Sequence, residues 1–435
     1  MAFPTECGAM TASLLRSANE TAALLRAGIY SVCSAHPWVL EASLLHAAET
    51  QQTLLIEATC NQVNQEGGYT GITPADFRKQ VETMAEKAGF PLKRLLFGGD
   101  HLGPHPWSGL GAQVAMAKAE EMVRAYVRAG FTKIHLDASM PCAGETAPLA
   151  DELIAQRAAQ LCAAAESVRG KSGLVYVIGT EVPTPGGALE EEPHLEVTKR
   201  EAALHAVAAH HKAFRALGLE DAWQRVVALV VQPGVEFAND SIHDFDAEKA
   251  VGLTQLLGEL NGLVYEAHST DYQRPEAFSA LLLGGFRILK VGPALTYAMR
   301  QALYALEAIE VELVPAATRS NLRATMEKVM LEQPGYWKNH YHGSEKELRL
   351  HRVHSYSDRI RYYWNTPEAQ QAVSRLMENL EERVLPETLL SDYLPLQYRK
   401  VRQRQLDPRP LPLVFDAVRE ALRPYSDAVA LATAR

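Results

Sequence analysis

The chain has 435 residues, 47% hydrophobic and 22% charged, with a formal net charge of -9. That length can bury a full core as one large domain or two, and the mild acidity argues against nucleic acid or an anionic membrane as the main partner. No apolar run is long enough to span a bilayer and the N-terminus lacks the basic and apolar regions of a signal peptide, so a cytoplasmic protein is expected. Cys7, Cys33, Cys60, Cys142 and Cys162 are scattered without a CxxC pair, which favours reduced thiols over a disulfide framework or a zinc-thiolate site.

After a polar N-terminal segment, strand and helix patterns alternate. Ile29 to Cys33 reads as a strand, and Pro37 opens a helix running to about Ala48. Thr53 to Ala58 is the second strand; Thr73 and Pro74 cap and open a helix towards Ala88. Arg94 to Phe97 begins the third, followed by a helix from Ala112 to Ala129 that Gly130 ends. Strands over Phe131 to Asp137, Leu174 to Thr180, Val226 to Val231, Leu263 to Ala267 and Arg287 to Val291 follow. The helices between and after them are expected from about Asp151 to Val168, Thr198 to Leu217, Ala247 to Leu260, from Pro275, and from Leu295 to Leu313. Roughly eight doubly apolar strands alternating with helices predict a parallel (β/α)8 barrel over residues 1–313, with a doubly wound open sheet as the rival. From about Val314 the pattern turns helical, aromatic and basic, predicting a C-terminal helical extension over residues 314–435 packed on the barrel or on a partner. Its basic-aromatic runs, such as Arg359 to Trp364, read as a solvated helix face rather than an RNA-binding surface.

Residues able to do chemistry recur just after the strands, the face at which such barrels carry their sites. In Gly98-Gly99-Asp100-His101 both polar side chains can serve one site only if the strand ends by Gly99, because strand neighbours point to opposite faces. Lys133, His135 and Asp137 share one face, which leaves a catalytic His135 and a purely structural polar cluster both open. Glu181 precedes a turn rich in Pro and Gly, and Glu266-Ala267-His268 ends the seventh strand. His101 and His268 with Glu181 would suffice for an open divalent-metal site, zinc first among the candidates. Such an ion would polarise a sugar carbonyl and stabilise an enediolate while Asp100 moves a proton on a neighbouring hydroxyl. Ser269, Thr270, Lys290, Gly292 and Thr296, after strands seven and eight, are candidate phosphate ligands, with loop and helix capping as the alternative.

The strings Cys33-Ser34-Ala35-His36-Pro37, Gly67-Gly68-Tyr69-Thr70-Gly71, Gly98-Gly99-Asp100-His101-Leu102-Gly103-Pro104, Lys133-Ile134-His135-Leu136-Asp137, Gly179-Thr180-Glu181-Val182-Pro183, Val231-Gln232-Pro233-Gly234, Glu266-Ala267-His268-Ser269-Thr270-Asp271 and Lys290-Val291-Gly292-Pro293 closely resemble the GatZ/KbaZ family. These are the so-called non-catalytic subunits of tagatose-1,6-bisphosphate aldolase. The resemblance implies a barrel related to class II, zinc-dependent ketose-bisphosphate aldolases, in pathways that degrade galactitol and amino-galactose sugars. By that likeness Asp100 is the proton-transfer acid, and His101 and His268 are zinc ligands. Gln232 stands where the catalytic relatives have a further histidine, which lowers metal affinity unless Glu181 takes the place. The resemblance also implies a catalytic class II aldolase chain as partner and a ketose phosphate as ligand; self-association stays open. Members have been labelled tagatose-6-phosphate kinase, but the GxxxxGK[ST] cradle of a P-loop kinase does not occur here. Similar proteins have been assigned as metal-dependent ketose 4-epimerases. The expectation is an accessory subunit of the aldolase, with a metal-dependent 4-epimerase of ketose phosphates as the competing reading.

Overall fold

The computed structural model describes residues 17–180 and 195–433. Eight strands, β1 (Ile29–Val32), β2 (Leu54–Thr59), β3 (Leu95–Leu102), β4 (Lys133–Leu136), β5 (Val175–Ile178), β6 (Val226–Val230), β7 (Val264–Ala267) and β8 (Phe286–Val291), form a closed barrel. Each pairs in parallel with its sequence neighbours, and β1 pairs with both β2 and β8 to close the ring. This is the (β/α)8 architecture that the alternating pattern predicts. The helices start where their caps place them: Thr73 accepts from the Asp76 N–H ahead of Pro74–Lys87, and His36 Nδ1 accepts from the Trp38 N–H ahead of Pro37–Thr50.

Two interiors result from the pleat. Towards the N-terminal ends of the strands the barrel is filled by Ile29, Leu55, Leu96, Val175, Val177, Ala228 and Ile288. The segment before β1, expected only as a polar lead-in, contains a helix at Ala18–Ala27 whose Ala22 and Leu25 plug this apolar end. One step further along the strands the inward residues become Ser31, Glu57, Lys133, Glu266 and Lys290, all buried. β5 and β6 contribute only aliphatic side chains there, so the polar half of the barrel is built from β1–β4, β7 and β8.

The helix expected over Ala247 to Leu260 is shorter, Val251–Leu256 followed by a 3-10 turn at Leu257–Glu259. Gly258 falls where the helix gives way to the 3-10 turn, and a glycine weakens a helix interior. Beyond Pro293–Leu313 come helices at Leu322–Glu332, Glu345–His354, Pro367–Glu381, Glu387–Tyr393, Pro395–Arg402 and Pro410–Thr433. The last of these crosses Pro37–Thr50, Pro275–Leu283 and Pro293–Leu313, and one continuous apolar core joins it to the outer layer of the barrel. Arg359–Tyr363 is not a solvated helix face but a 3-10 turn with Arg359, Ile360 and Tyr363 buried. Its aromatics pack near the mouth of the barrel, where Tyr362 meets Tyr69 and Tyr336 at ring separations of 4.8 Å.

Candidate active site

β3 does not end at Gly99. It runs to Leu102, but its pairing with β4 slips between Gly99 and Leu102, and His101 takes a left-handed φ of 48°. This irregularity breaks the strict alternation of faces, so Asp100 and His101 both line the cavity at the C-terminal end of the barrel. The glycines supply room rather than unusual dihedrals. A Cβ on Gly98 would collide with the Glu57 carboxylate, and one on Gly103 with the Asp137 carbonyl oxygen.

Beneath the cavity lies a buried ion network. Lys133 Nζ is 2.6 Å from Glu57 Oε1 and 2.7 Å from Glu266 Oε2. Lys290 pairs with Glu57 and lies 2.8 Å from Asp100 Oδ1 and 3.5 Å from Glu266 Oε1. Above it sit three imidazoles. His101 Nδ1 is 2.8 Å from Asp137 Oδ2, His135 Nδ1 is 3.0 Å from Asp100 Oδ1, and His268 Nε2 is 2.9 Å from Glu266 Oε1. Burial alone would raise the Asp100 carboxyl, but His101, Lys290 and the His135 hydrogen bond hold it well below the usual range. Burial likewise opposes the His101 cation, yet Asp100 and Asp137 outweigh it and raise that imidazole. For His268 burial wins, and its pKa falls to about 3.

Asp100, His135, Glu266 and His268 each offer a ligand atom, all within 4.8 Å of one another. Three observations fit a divalent cation here. The donors are carboxylate and imidazole, the mixture that borderline metals take. His135 Nε2 is buried without a hydrogen-bond partner. The cluster also holds the carboxylates of Glu57, Asp100, Asp137 and Glu266 against the ammonium groups of Lys133 and Lys290, an excess of negative charge at low exposure. His101 is not one of the four ligand-bearing residues; Asp137 anchors it through Nδ1, beside the cluster.

The expected site residues divide in the structure. Asp100, His101, His135, His268 and Lys290 converge. Ser269 and Gly292 line the cavity. Gln232 does not line it: its side-chain oxygen accepts from the Gly234 and Val235 N–H groups at 2.8 and 3.0 Å. Thr270 donates to the Lys290 carbonyl and Thr296 to Asp358, so both hydroxyls hold the fold locally. The Gly292 N–H donates to Asp271, not to open space. Glu181 lies outside the described residues. Glu57 and Glu266 are members of the site that motif reading passed over; the signal was a lone carboxylate inside an apolar strand, two residues before His268 in the case of Glu266.

A closed parallel barrel whose buried acid, imidazole and lysine groups open at the C-terminal strand ends defines a (β/α)8 protein with its site at the usual face of that fold. A family model described as D-tagatose-1,6-bisphosphate aldolase subunit GatZ/KbaZ-like matches residues 14–430, and the chain belongs to that family. A solved structure called a probable tagatose 6-phosphate kinase, from Sinorhizobium meliloti 1021, is 50% identical with a TM-score of 0.86, covering 92% of this chain and 100% of that one. Remoter likenesses are the YdjI aldolase of Escherichia coli K12, 13% identical, TM-score 0.42, covering 82% of this chain and 93% of that one, and the fructuronate-tagaturonate epimerase UxaE of Cohnella laeviribosi, 13% identical, TM-score 0.47, covering 93% and 82%.

Proposed function

We propose that this chain is itself a metal-dependent enzyme acting on ketose phosphates, epimerising C4 between tagatose and fructose 6-phosphates by carbon–carbon cleavage and re-addition. The observation that carries the reading is the convergence of Asp100, His135, Glu266 and His268, with His101 alongside, beneath an open cavity. His135, Glu266 and His268 would hold a divalent cation, which when bound supplies Lewis-acid stabilisation of an enediolate, while Asp100 beside them is kept for proton transfer. The rest of the chemistry falls to the chain. Lys290 and His135 engage Asp100 Oδ1, leaving Oδ2 on the side of His101 Nε2 at 3.7 Å. Held ionised, Asp100 is in the form that accepts the C4 hydroxyl proton as the C3–C4 bond breaks and its electron pair enters the enediolate. Re-addition to the opposite face of the aldehyde re-forms that bond, and Asp100 returns the proton to the C4 oxygen, so no redox partner is needed.

The test is to incubate the purified chain with tagatose 6-phosphate and zinc, manganese, cobalt or magnesium and to follow fructose 6-phosphate by NMR. Conversion that falls about 100-fold or more in His101→Ala with the fold intact supports the reading. No bound metal and no conversion with any ion removes it. The family description favours a second reading, an accessory subunit that supports a catalytic class II aldolase chain. Co-purification that raises the partner's activity supports that role, and no effect on adding the chain sinks it.

A further inference from the structure

The C-terminal extension reaches into the site. Arg361 and Tyr362 line the same cavity as Asp100, His101, His268 and Lys290. The Arg361 guanidinium is held in place from two sides: it donates to the Ser357 carbonyl and, at 2.9 Å, to the Tyr362 hydroxyl, and lies 4.4 Å from the centre of the Tyr362 ring. These partners are a carbonyl, a hydroxyl and an aromatic ring, none of them a carboxylate. Asp358, the acid nearest in sequence, is committed to Arg300 and Thr296 at 2.8 and 2.7 Å, and among the described residues no carboxylate lies within ion-pair distance of Arg361. Asp358 and Asp271 act on this cation only from beyond ion-pair distance, so its remaining N–H donors have no carboxylate to meet.

The other place where a barrel of this kind would seat an anion is already filled. The first N–H groups around the start of the Pro293–Leu313 helix, those of Gly292 and Ala294, donate to Asp271 Oδ1 at 3.0 and 2.8 Å. A phosphate brought there would meet a carboxylate. We infer that Arg361 is the residue that recognises the terminal phosphate of the sugar, so that the C-terminal extension, rather than the loops after β7 and β8, sets the preference for a phosphorylated ketose. For the sugar this rests on the proposed function; the anion recognition itself rests on Arg361, the absence of a carboxylate within ion-pair distance of it among the described residues, and the occupied helix start. The ligand would then share one cavity with His268, Lys290 and Arg361, and a planar two-pronged donor suits a phosphate better than a single ammonium.

Calorimetric titration of the metal-loaded full chain with tagatose 6-phosphate, tagatose and inorganic phosphate tests this without requiring turnover. The wild type is expected to bind the phosphorylated sugar more tightly than tagatose. Arg361→Met should lose about 10- to 100-fold in affinity for tagatose 6-phosphate and for phosphate, with Arg361→Lys between the two and tagatose affinity unchanged. Equal wild-type affinity for tagatose and its 6-phosphate overturns the inference and needs no variant; so does an Arg361→Met protein that melts like the wild type and binds tagatose 6-phosphate as well. A chain that binds phosphate through Arg361 yet converts no sugar sinks the epimerase reading alone. One that converts the sugar while binding it independently of Arg361 sinks only this inference.

Discussion

Lys133 is 1% exposed and stands between Glu57 and Glu266, so removing its ammonium leaves Lys290 as the one cation shared by two buried carboxylates. Lys133→Met should therefore destabilise the protein by about 3–5 kcal/mol in urea unfolding, far more than any surface ion pair would cost. Gly103→Ala should be worse tolerated than its small size suggests. Its Cβ would run into a backbone oxygen, which cannot rotate away, and a much lower melting temperature or loss of soluble protein is expected. At this scale the sequence exposed Asp100, His101, His135 and His268 because imidazoles and acids at strand ends are conspicuous. It did not show that His101 takes a positive φ or that Gln232 turns back on its own loop, because both depend on local geometry that the residue names do not specify.

The last helix, Pro410–Thr433, is bound to the barrel by side chains from opposite ends of the chain. His46 Nε2 lies 2.9 Å from Ser426 Oγ, Gln52 donates to the Ser426 carbonyl, and Tyr425 donates to the Thr270 carbonyl at 2.8 Å. Burial first, then Arg419 and Arg423, lower the His46 pKa from 6.5 to about 4. Between those values the unfolded chain binds the proton and the folded one does not, so stability is lost as pH falls from 6.5 towards 4, by roughly 3 kcal/mol from this group. His46→Gln should flatten that part of the stability–pH curve measured by denaturant unfolding. Tyr425→Phe should cost about 1–3 kcal/mol by leaving the Thr270 carbonyl unpaired, measured by denaturant unfolding. The helix opened by Pro37 and the helical character of the extension were legible; the individual C-terminal helices and their partners were not, since contacts more than 350 residues apart in sequence leave no local pattern.

For the whole molecule, metal binding can be tested apart from catalysis. A cation bound only by the folded barrel should raise its stability by about 2.7 kcal/mol at a hundred times its dissociation constant, and chelator should reverse the gain in a thermal melt. His268→Ala should abolish the increment.

By itself the sequence determined the barrel and the family, because doubly apolar strands alternating with helices and long shared strings are local properties read along the chain. Only the tertiary structure decided which polar residues meet. Closure of the ring sets Glu57, Lys133, Glu266 and Lys290 across one another in a buried centre, where desolvation makes their pairing obligatory. It also decided that Arg359–Tyr363, whose composition suggests a solvated surface, turns inward at the barrel mouth and brings Arg361 to the cavity. Charge and aromaticity state what a side chain can do; which neighbours it finds depends on how the chain closes.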